Sequence, residues 1–158
     1  LDIFSPIRER QPDSRLILVG EGPLCEETKQ YAQKIGVSDY VLFLGSSKTP
    51  EKYYNAMDVF VLPSIFEGFP VVAVEAQTNG LYCFFSTEVT KEAKLLDTTM
   101  YIPLSDGKEK WADAIMNTNL KCNRENGYHV LSESRYSISK EAKRLFDKYE
   151  EFVKRGDR

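Results

Sequence analysis

Residues 59–77 read VFVLPSIFEGFPVVAVEAQ and contain the strongest fold signal in the chain. The first four of these residues form a short, continuous apolar run, which is typical of a strand buried on both faces. A glycine turn follows, and Pro70 is suited to the first turn of the apolar helix that begins there. The order of strand, turn and helix predicts one unit of a parallel α/β sheet.

Two glutamates in this stretch, Glu67 and Glu75, are eight residues apart and are not explained by apolar packing. Glu75 interrupts an otherwise apolar helical segment, where a carboxylate needs a partner. The free N–H groups at the start of the helix are suited to binding an anion. The sequence therefore predicts a phosphate-binding turn between two acids.

The alternation of strand and helix continues on both sides of this stretch. Further strands are predicted at residues 16–19, 41–44 and 82–85, and a fifth strand ends at 101–103. Predicted helices cover residues 1–10, 23–35, 49–57, 90–95, 108–119 and 139–155, and Gly36 and Gly80 act as stop signals. We therefore predict one domain, residues 1–158, of the Rossmann-like α/β class, with a parallel sheet covered by helices on both faces.

The charge, the cysteines and the length of the apolar runs argue against several classes of function. The net charge of −3 gives no general attraction to nucleic acid, which is not expected as a partner. Cys25, Cys83 and Cys122 are far apart and form no CxxC pair, so neither a disulfide framework nor a zinc site is indicated, and a reduced, cytoplasmic setting is favoured. No apolar run approaches the roughly 18 residues of a membrane span.

The central stretch resembles the Glu-x7-Glu signature of retaining glycosyltransferases with the GT-B fold, specifically glycosyltransferase family 4. The matching positions are Pro63, Ser64, Glu67, Gly68, Phe69, Glu75 and Ala76. Residues 16–23 resemble a strand and glycine turn of the same family, and residues 41–45 resemble its next strand, so the resemblance covers about residues 1–103. It implies the C-terminal, donor-binding half of a hexosyltransferase-type enzyme. The implied partner is a nucleoside diphosphate sugar, with no metal and no cofactor; the chain likewise has no Asp-x-Asp motif.

The resemblance assigns roles to residues of the central stretch. Glu67 would be the catalytic-site acid that contacts the donor sugar, and Glu75 would accept hydrogen bonds from the ribose hydroxyls, a task that suits an acceptor-only group. Gly68, Phe69 and Val71 would bind the diphosphate through backbone N–H groups, whereas Pro70, where many relatives have glycine, has no N–H to donate.

Three further glycines are implied to bind the donor. Gly20 and Gly22 resemble the glycines beside the donor cleft, and Gly45, with Ser46, resembles the segment beside the nucleotide base. As an alternative, Gly45 and Ser46 could be an ordinary exit from a strand. His129, the single histidine, is expected to be a surface or partly packed residue.

The glutamates and their turn also have structural alternatives. Glu67 could be a first-turn acid that favours the helix N-terminus. Glu75 could form a buried salt bridge to a lysine or arginine, and Gly68 could be a plain turn residue.

One departure from the family pattern bears on the sheet. Family members have an additional strand and a loop with a basic residue ahead of the first helix, and in a Rossmann strand order that first strand is central. We expect this chain to be a piece of a longer enzyme, whose N-terminal domain would bind a saccharide or lipid-linked saccharide acceptor, in the cytoplasm or at the membrane periphery. The piece would bind donor weakly and transfer little or nothing, and its sheet would close without the strand or borrow one.

Residues 67–75 and 85–92 are similar to bacterial enzymes of capsular or exopolysaccharide assembly. Two other classes remain open. A non-catalytic interaction domain that keeps the GT-B architecture would fit the absent strand and Pro70. A receiver-like signalling domain would need a phosphorylatable aspartate after a strand, but Asp58 precedes its strand.

Overall fold

The computed structural model describes residues 1–120 and 124–156. The helices are α1 (Phe4–Arg10), α2 (Cys25–Lys34), α3 (Glu51–Ala56), α4 (Val71–Thr78), α5 (Gly107–Met116), α6 (Arg124–Glu133) and α7 (Ile138–Gly156). The strands are β1 (Leu16–Leu18), β2 (Val41–Phe43), β3 (Val59–Leu62), β4 (Tyr82–Ser86) and β5 (Thr99–Ile102). Short 3-10 helices at Ser38–Tyr40, Lys91–Ala93 and Leu104–Asp106 complete the connections.

All strand pairing is parallel, as predicted, but the sheet is divided. β1 pairs with β2, and β3, β4 and β5 form a separate three-stranded sheet in that order. The expectation that the sheet would close without the additional strand was therefore wrong, and the alternative, a borrowed strand, stays a prediction. Among the described residues, β1 pairs only with β2, and β3 pairs only with β4. A Rossmann order in which the five strands here are the second to the sixth places its first strand between β1 and β3.

Helices cover both faces of the three-stranded sheet. On one face, Phe60, Cys83 and Phe85 pack with Tyr54 of α3 and with the alanines of α4. On the other face, apolar residues of the three strands pack against α5 and against α1 with its N-cap. The strand residues are Val59, Val61, Phe84 and Ile102, and the helix residues are Ile3, Ile7, Trp111 and Ile115. Successive strand residues point to opposite faces, so a strand covered on both sides reads as a continuous apolar run.

α1 joins the two sheets. Its Phe4 packs in the cluster of β1, β2 and α2, while Ile3 and Ile7 pack against the core of the three-stranded sheet. Arg10, at its C-terminal end, forms ion pairs with Glu109 and Asp113 of α5. The two parts of the sheet are thus held together by side-chain packing on a helix instead of by backbone hydrogen bonds.

Most boundaries agree with the sequence, and three points differ. α6 was not predicted, Pro70 precedes α4 as its N-cap instead of opening its first turn, and the helix expected at residues 90–95 is only the 3-10 turn Lys91–Ala93. Thr90 caps that turn by accepting a hydrogen bond from the backbone N–H of Glu92 at 3.4 Å. Within the described residues, no helix has both the length and the apolar character needed to span a bilayer.

Candidate functional site

Glu67 lies in the loop that follows β3, and a hydroxyl group holds its carboxylate. Ser64 Oγ donates a hydrogen bond to Glu67 Oε1 at 2.8 Å. The carbonyl oxygen of Ser64 in turn accepts a hydrogen bond from Ser86 Oγ, at the end of β4, at 2.5 Å. The alternative role as a first-turn acid does not fit, because α4 begins at Val71 and has no acid in its first turn.

Glu75 lies on α4 and is also held by a hydroxyl group. The hydroxyl of Tyr54, a residue only 6% exposed, donates a hydrogen bond to Glu75 Oε2 at 2.9 Å. Burial raises the pKa of Tyr54 well above its usual range, and the hydrogen bond and charge of Glu75 raise it further, so the phenol stays a neutral donor. No lysine or arginine in the described ranges forms an ion pair with Glu75, which argues against the salt-bridge alternative.

Between the two acids, the N-terminus of α4 is open. Pro70 is the N-cap, with ψ at 103°, and its side chain provides no hydrogen bond to the first N–H groups. Val71, the first helical residue, is 63% exposed. An uncapped N-terminus leaves unpaired N–H groups and the positive end of the helix dipole facing outward. This end of α4 therefore presents N–H donors of the kind that suit an anion.

Gly68 and Phe69 shape the loop before that helix. A Cβ atom added to Gly68 would meet no atom within 4 Å, and the φ angle of Gly68 is not positive. Neither the backbone nor internal packing therefore requires glycine there, and the loop leaves open space beside it. The ring of Phe69 stacks on Tyr136 with centroids 4.9 Å apart, so this side chain already has a partner within the chain.

Gly20, Gly22 and Gly45 lie in the loops that follow β1 and β2, the strands of the smaller sheet. The N–H of Gly20 donates to the carbonyl oxygen of Gly45 at 2.8 Å, and Glu21 Oε1 accepts a hydrogen bond from the N–H of Ser46 at 3.2 Å. Gly45 has φ +66°, a conformation that favours glycine. An open cavity of about 370 Å³ borders this turn and is lined by residues 18–25, Thr28 and Phe43. Neither Glu67 nor Glu75 lines it.

The structure thus brings the predicted residues together in two groups. Glu67, Gly68, Phe69, Val71 and Glu75 surround the start of α4, and the three other glycines lie at the ends of β1 and β2. His129 is exposed, as predicted, and Cys122 lies outside the described residues. Across residues 1–120 and 124–156, no group of three or more His, Cys, Asp or Glu side chains is arranged to hold a metal ion.

Sequence reasoning missed Tyr54, although it holds one of the two acids. Its aromatic character and position on a short helix indicate a core residue, which it is. The partner of its hydroxyl depends on how α3 and α4 pack, and no local pattern in the sequence encodes that contact.

Comparison with known proteins gives a family match over most of the chain. The family model described as glycosyl transferases group 1 matches residues 1–118. The Bacillus subtilis protein named putative glycosyltransferase EpsF is 37% identical over 116 residues, which cover 73% of this chain and 30% of the relative. The chain therefore spans about a third of the length of that relative.

Solved structures share the fold. Sucrose-phosphate synthase from Thermosynechococcus elongatus superimposes with a TM-score of 0.78 at 21% identity, covering 96% of this chain and 42% of that protein. HepE from Anabaena, solved in complex with UDP, superimposes with a TM-score of 0.74 at 19% identity, covering 94% of this chain and 44% of that protein. The parallel α/β architecture with helices on both sides matches the C-terminal Rossmann-like domains of GT-B glycosyltransferases.

Proposed function

Because this chain belongs to the group 1 glycosyl transferases, we propose that it binds the nucleoside diphosphate sugar donor of a retaining glycosyltransferase. One observation carries the proposal: two glutamates lie on either side of an uncapped helix N-terminus, and a neutral hydroxyl group holds each of them. A neutral donor orients a carboxylate without cancelling its charge. Both acids therefore remain strong acceptors for the hydroxyl groups of a ligand.

The proposed roles follow the position of each group. Glu67, at the carboxyl end of a parallel strand, accepts hydrogen bonds from the transferred sugar. Glu75 accepts hydrogen bonds from the ribose hydroxyls. The N–H groups of Phe69 and Val71, together with the dipole of α4, bind the diphosphate, and Gly68 leaves space for the ligand to approach the loop. The glycine turn at Gly20 and Gly22, with Gly45, borders the same donor in the whole enzyme.

In the whole protein, the reaction would be transfer of a hexosyl group with retention of configuration, in polysaccharide biosynthesis in the cytoplasm. The acceptor half would come from the rest of the protein, with a saccharide or lipid-linked saccharide as acceptor. Charge that develops on the departing diphosphate is stabilised by preorganised donors. No metal or cofactor is proposed for this step. Since the family's basic loop is not among the present residues, we propose that this chain alone binds donor weakly and has little or no transferase activity.

A second candidate, a non-catalytic interaction domain, is favoured by one observation. The apolar face of α7 is exposed and includes Leu145, Phe146, Tyr149, Phe152 and Val153, each of them more than half exposed. An apolar patch of this kind is typical of an interaction surface. Adding the family's upstream strand and basic loop to the chain separates the two candidates, because nucleotide binding should strengthen only if the domain is a donor site.

The first proposal is tested by NMR titration of the ¹⁵N-labelled chain with UDP, GDP and their sugar conjugates. We expect amide resonances of residues 67–75 to shift in proportion to occupancy. Glu75→Gln should weaken binding of both the nucleotide and the nucleotide sugar. Glu125→Gln, at an exposed site on α6, is a matched control. No shift near Glu67 and Glu75 with any of these ligands would overturn the proposal.

A further inference from the structure

We infer that Tyr54 is a positioning residue of the nucleotide site: it fixes the carboxylate of Glu75 for the ribose hydroxyls. The inference rests on the proposed function, because it needs Glu75 to meet a ribose. The hydrogen bond from the Tyr54 hydroxyl to Glu75 Oε2 is 2.9 Å long and joins α3 to α4. Glu75 Oε1 has no hydrogen-bond partner in the part of the chain that the structure describes, so that oxygen is free for a ligand.

The place of Tyr54 is fixed from two sides. Its ring packs edge-on against Phe60 of β3, with centroids 6.0 Å apart. At the C-terminal end of α3, the guanidinium of Arg124 donates hydrogen bonds to the carbonyl oxygens of Asn55 at 2.9 Å and of Asn79, after α4, at 3.3 Å. Arg124 therefore ties the ends of α3 and α4 together. The distance between Tyr54 and Glu75 is set by this scaffold before any ligand arrives.

Fixing Glu75 in advance has an energetic consequence for binding. A free glutamate side chain loses rotamer entropy when it is ordered. Because the hydrogen bond with Tyr54 orders the side chain in the folded chain, less of that cost falls on binding. The phenol also occupies one oxygen, so ribose hydroxyls are directed to Oε1 and to the remaining lone pair of Oε2.

The test compares Tyr54→Phe with Tyr53→Phe in this chain. Tyr54→Phe removes only the hydroxyl and keeps the buried ring, and Tyr53→Phe makes the same chemical change one residue earlier on α3. The ligands are UDP or GDP, whichever the wild type binds, and the matching 2′,3′-dideoxynucleoside diphosphate, which lacks the ribose hydroxyls. Affinity is measured by NMR titration, and folding is checked by cooperative urea unfolding.

We expect Tyr54→Phe to weaken binding of the ribonucleotide by up to about tenfold, because the cost of ordering Glu75 would then fall on binding. We expect no change with the dideoxy ligand, and none with either ligand for Tyr53→Phe. In a Glu75→Gln background, which is the second variant, Tyr54→Phe should have no further effect, because the two residues act as a unit.

These measurements distinguish failure of the proposed function from failure of the positioning role of Tyr54. If the wild-type chain binds neither UDP nor GDP, the proposed function fails and the positioning role fails with it. If the wild type binds and Tyr54→Phe leaves affinity unchanged, or weakens both ligands equally, the positioning role is overturned while the proposed function stands. The same holds if Tyr54→Phe weakens binding fully in the Glu75→Gln background.

Discussion

Gln77 Oε1 accepts a hydrogen bond from Thr99 Oγ1 at 2.8 Å, which ties the buried face of α4 to the first residue of β5. The same oxygen accepts from the backbone N–H groups of Leu95 and Leu96, and Nε2 donates to the carbonyl oxygens of Ala73 and Ala93. Gln77 is only 1% exposed. One amide side chain therefore forms hydrogen bonds with five groups and holds in place the helix that carries Glu75.

Gln77→Leu should be strongly destabilising. The apolar side chain leaves several buried groups unpaired, and each such group costs about 1–3 kcal/mol. We expect the free energy of unfolding to fall by at least about 3 kcal/mol, measured by urea denaturation. Gln30→Leu, the same change at an exposed position of α2, is the control. A loss below about 1 kcal/mol would show that this network contributes little.

Gly127→Ala is expected to destabilise the chain, although alanine usually favours a helix. A Cβ at Gly127 of α6 would lie 2.4 Å from the carbonyl oxygen of Gln77 and 2.6 Å from the backbone nitrogen of Gly80. Overpacking against backbone costs about 1–3 kcal/mol, which exceeds the gain in helix propensity of about 1 kcal/mol. Thermal unfolding should give a lower Tm. An unchanged or higher Tm would mean that α6 does not pack this closely on α4.

Ser64→Ala should separate sugar binding from nucleotide binding. The change removes the hydrogen bond that orients Glu67, while Tyr54 and Glu75 are untouched. We expect several-fold weaker binding of the UDP- or GDP-sugar, because Glu67 would no longer be ordered before the ligand binds. Binding of the free nucleotide should be unchanged. Ser105→Ala, at an exposed site, is the control, and equal weakening of both ligands would contradict separate roles for the two acids.

Alkaline pH should destabilise the chain partly through Tyr54. Burial, with the hydrogen bond and charge of Glu75, raises the pKa of Tyr54 in the folded state, so the folded chain holds this proton more tightly than the unfolded chain. The resulting stabilisation is complete below about pH 10, the ordinary phenol value, and is lost as the pH rises toward the higher folded pKa. We expect urea denaturation between pH 8 and pH 11 to show a steeper loss for the wild type than for Tyr54→Phe. The difference should be at most about 1.4 kcal/mol per pH unit. Parallel losses would contradict this role of Tyr54.

The local elements were predictable because their signals are local. Continuous apolar runs such as Val59–Leu62 predict buried parallel strands, and Gly36 and Gly80, both with positive φ, stop the helices before them. The sequence did not predict that the strands would form two separate sheets. That division depends on whether the edges of β1 and β3 find a common partner, and that contact has no local sequence signal.

The site was predictable as a motif but not as a set of contacts. Glu67, Glu75 and the turn between them were found from residue type and spacing. Their hydroxyl partners were not. Tyr54 reaches Glu75 across 21 positions of sequence. Ser64 is only three positions from Glu67, but the hydrogen bond that Ser64 accepts from Ser86 spans 22 positions. The packing of α3 and β4 against α4 and the loop before it creates both contacts. The unpredicted α6 adds Arg124 to the same scaffold.

Our claim that the segment from Glu67 to Glu75 binds a nucleoside diphosphate can be checked in a crystal structure of the chain with UDP or GDP bound. We expect ribose hydroxyl oxygens within about 3 Å of the Glu75 carboxylate and the diphosphate at the backbone N–H of Val71. A nucleotide bound only in the cavity beside Gly20 and Gly22, with Glu75 making no contact to it, would contradict the claim.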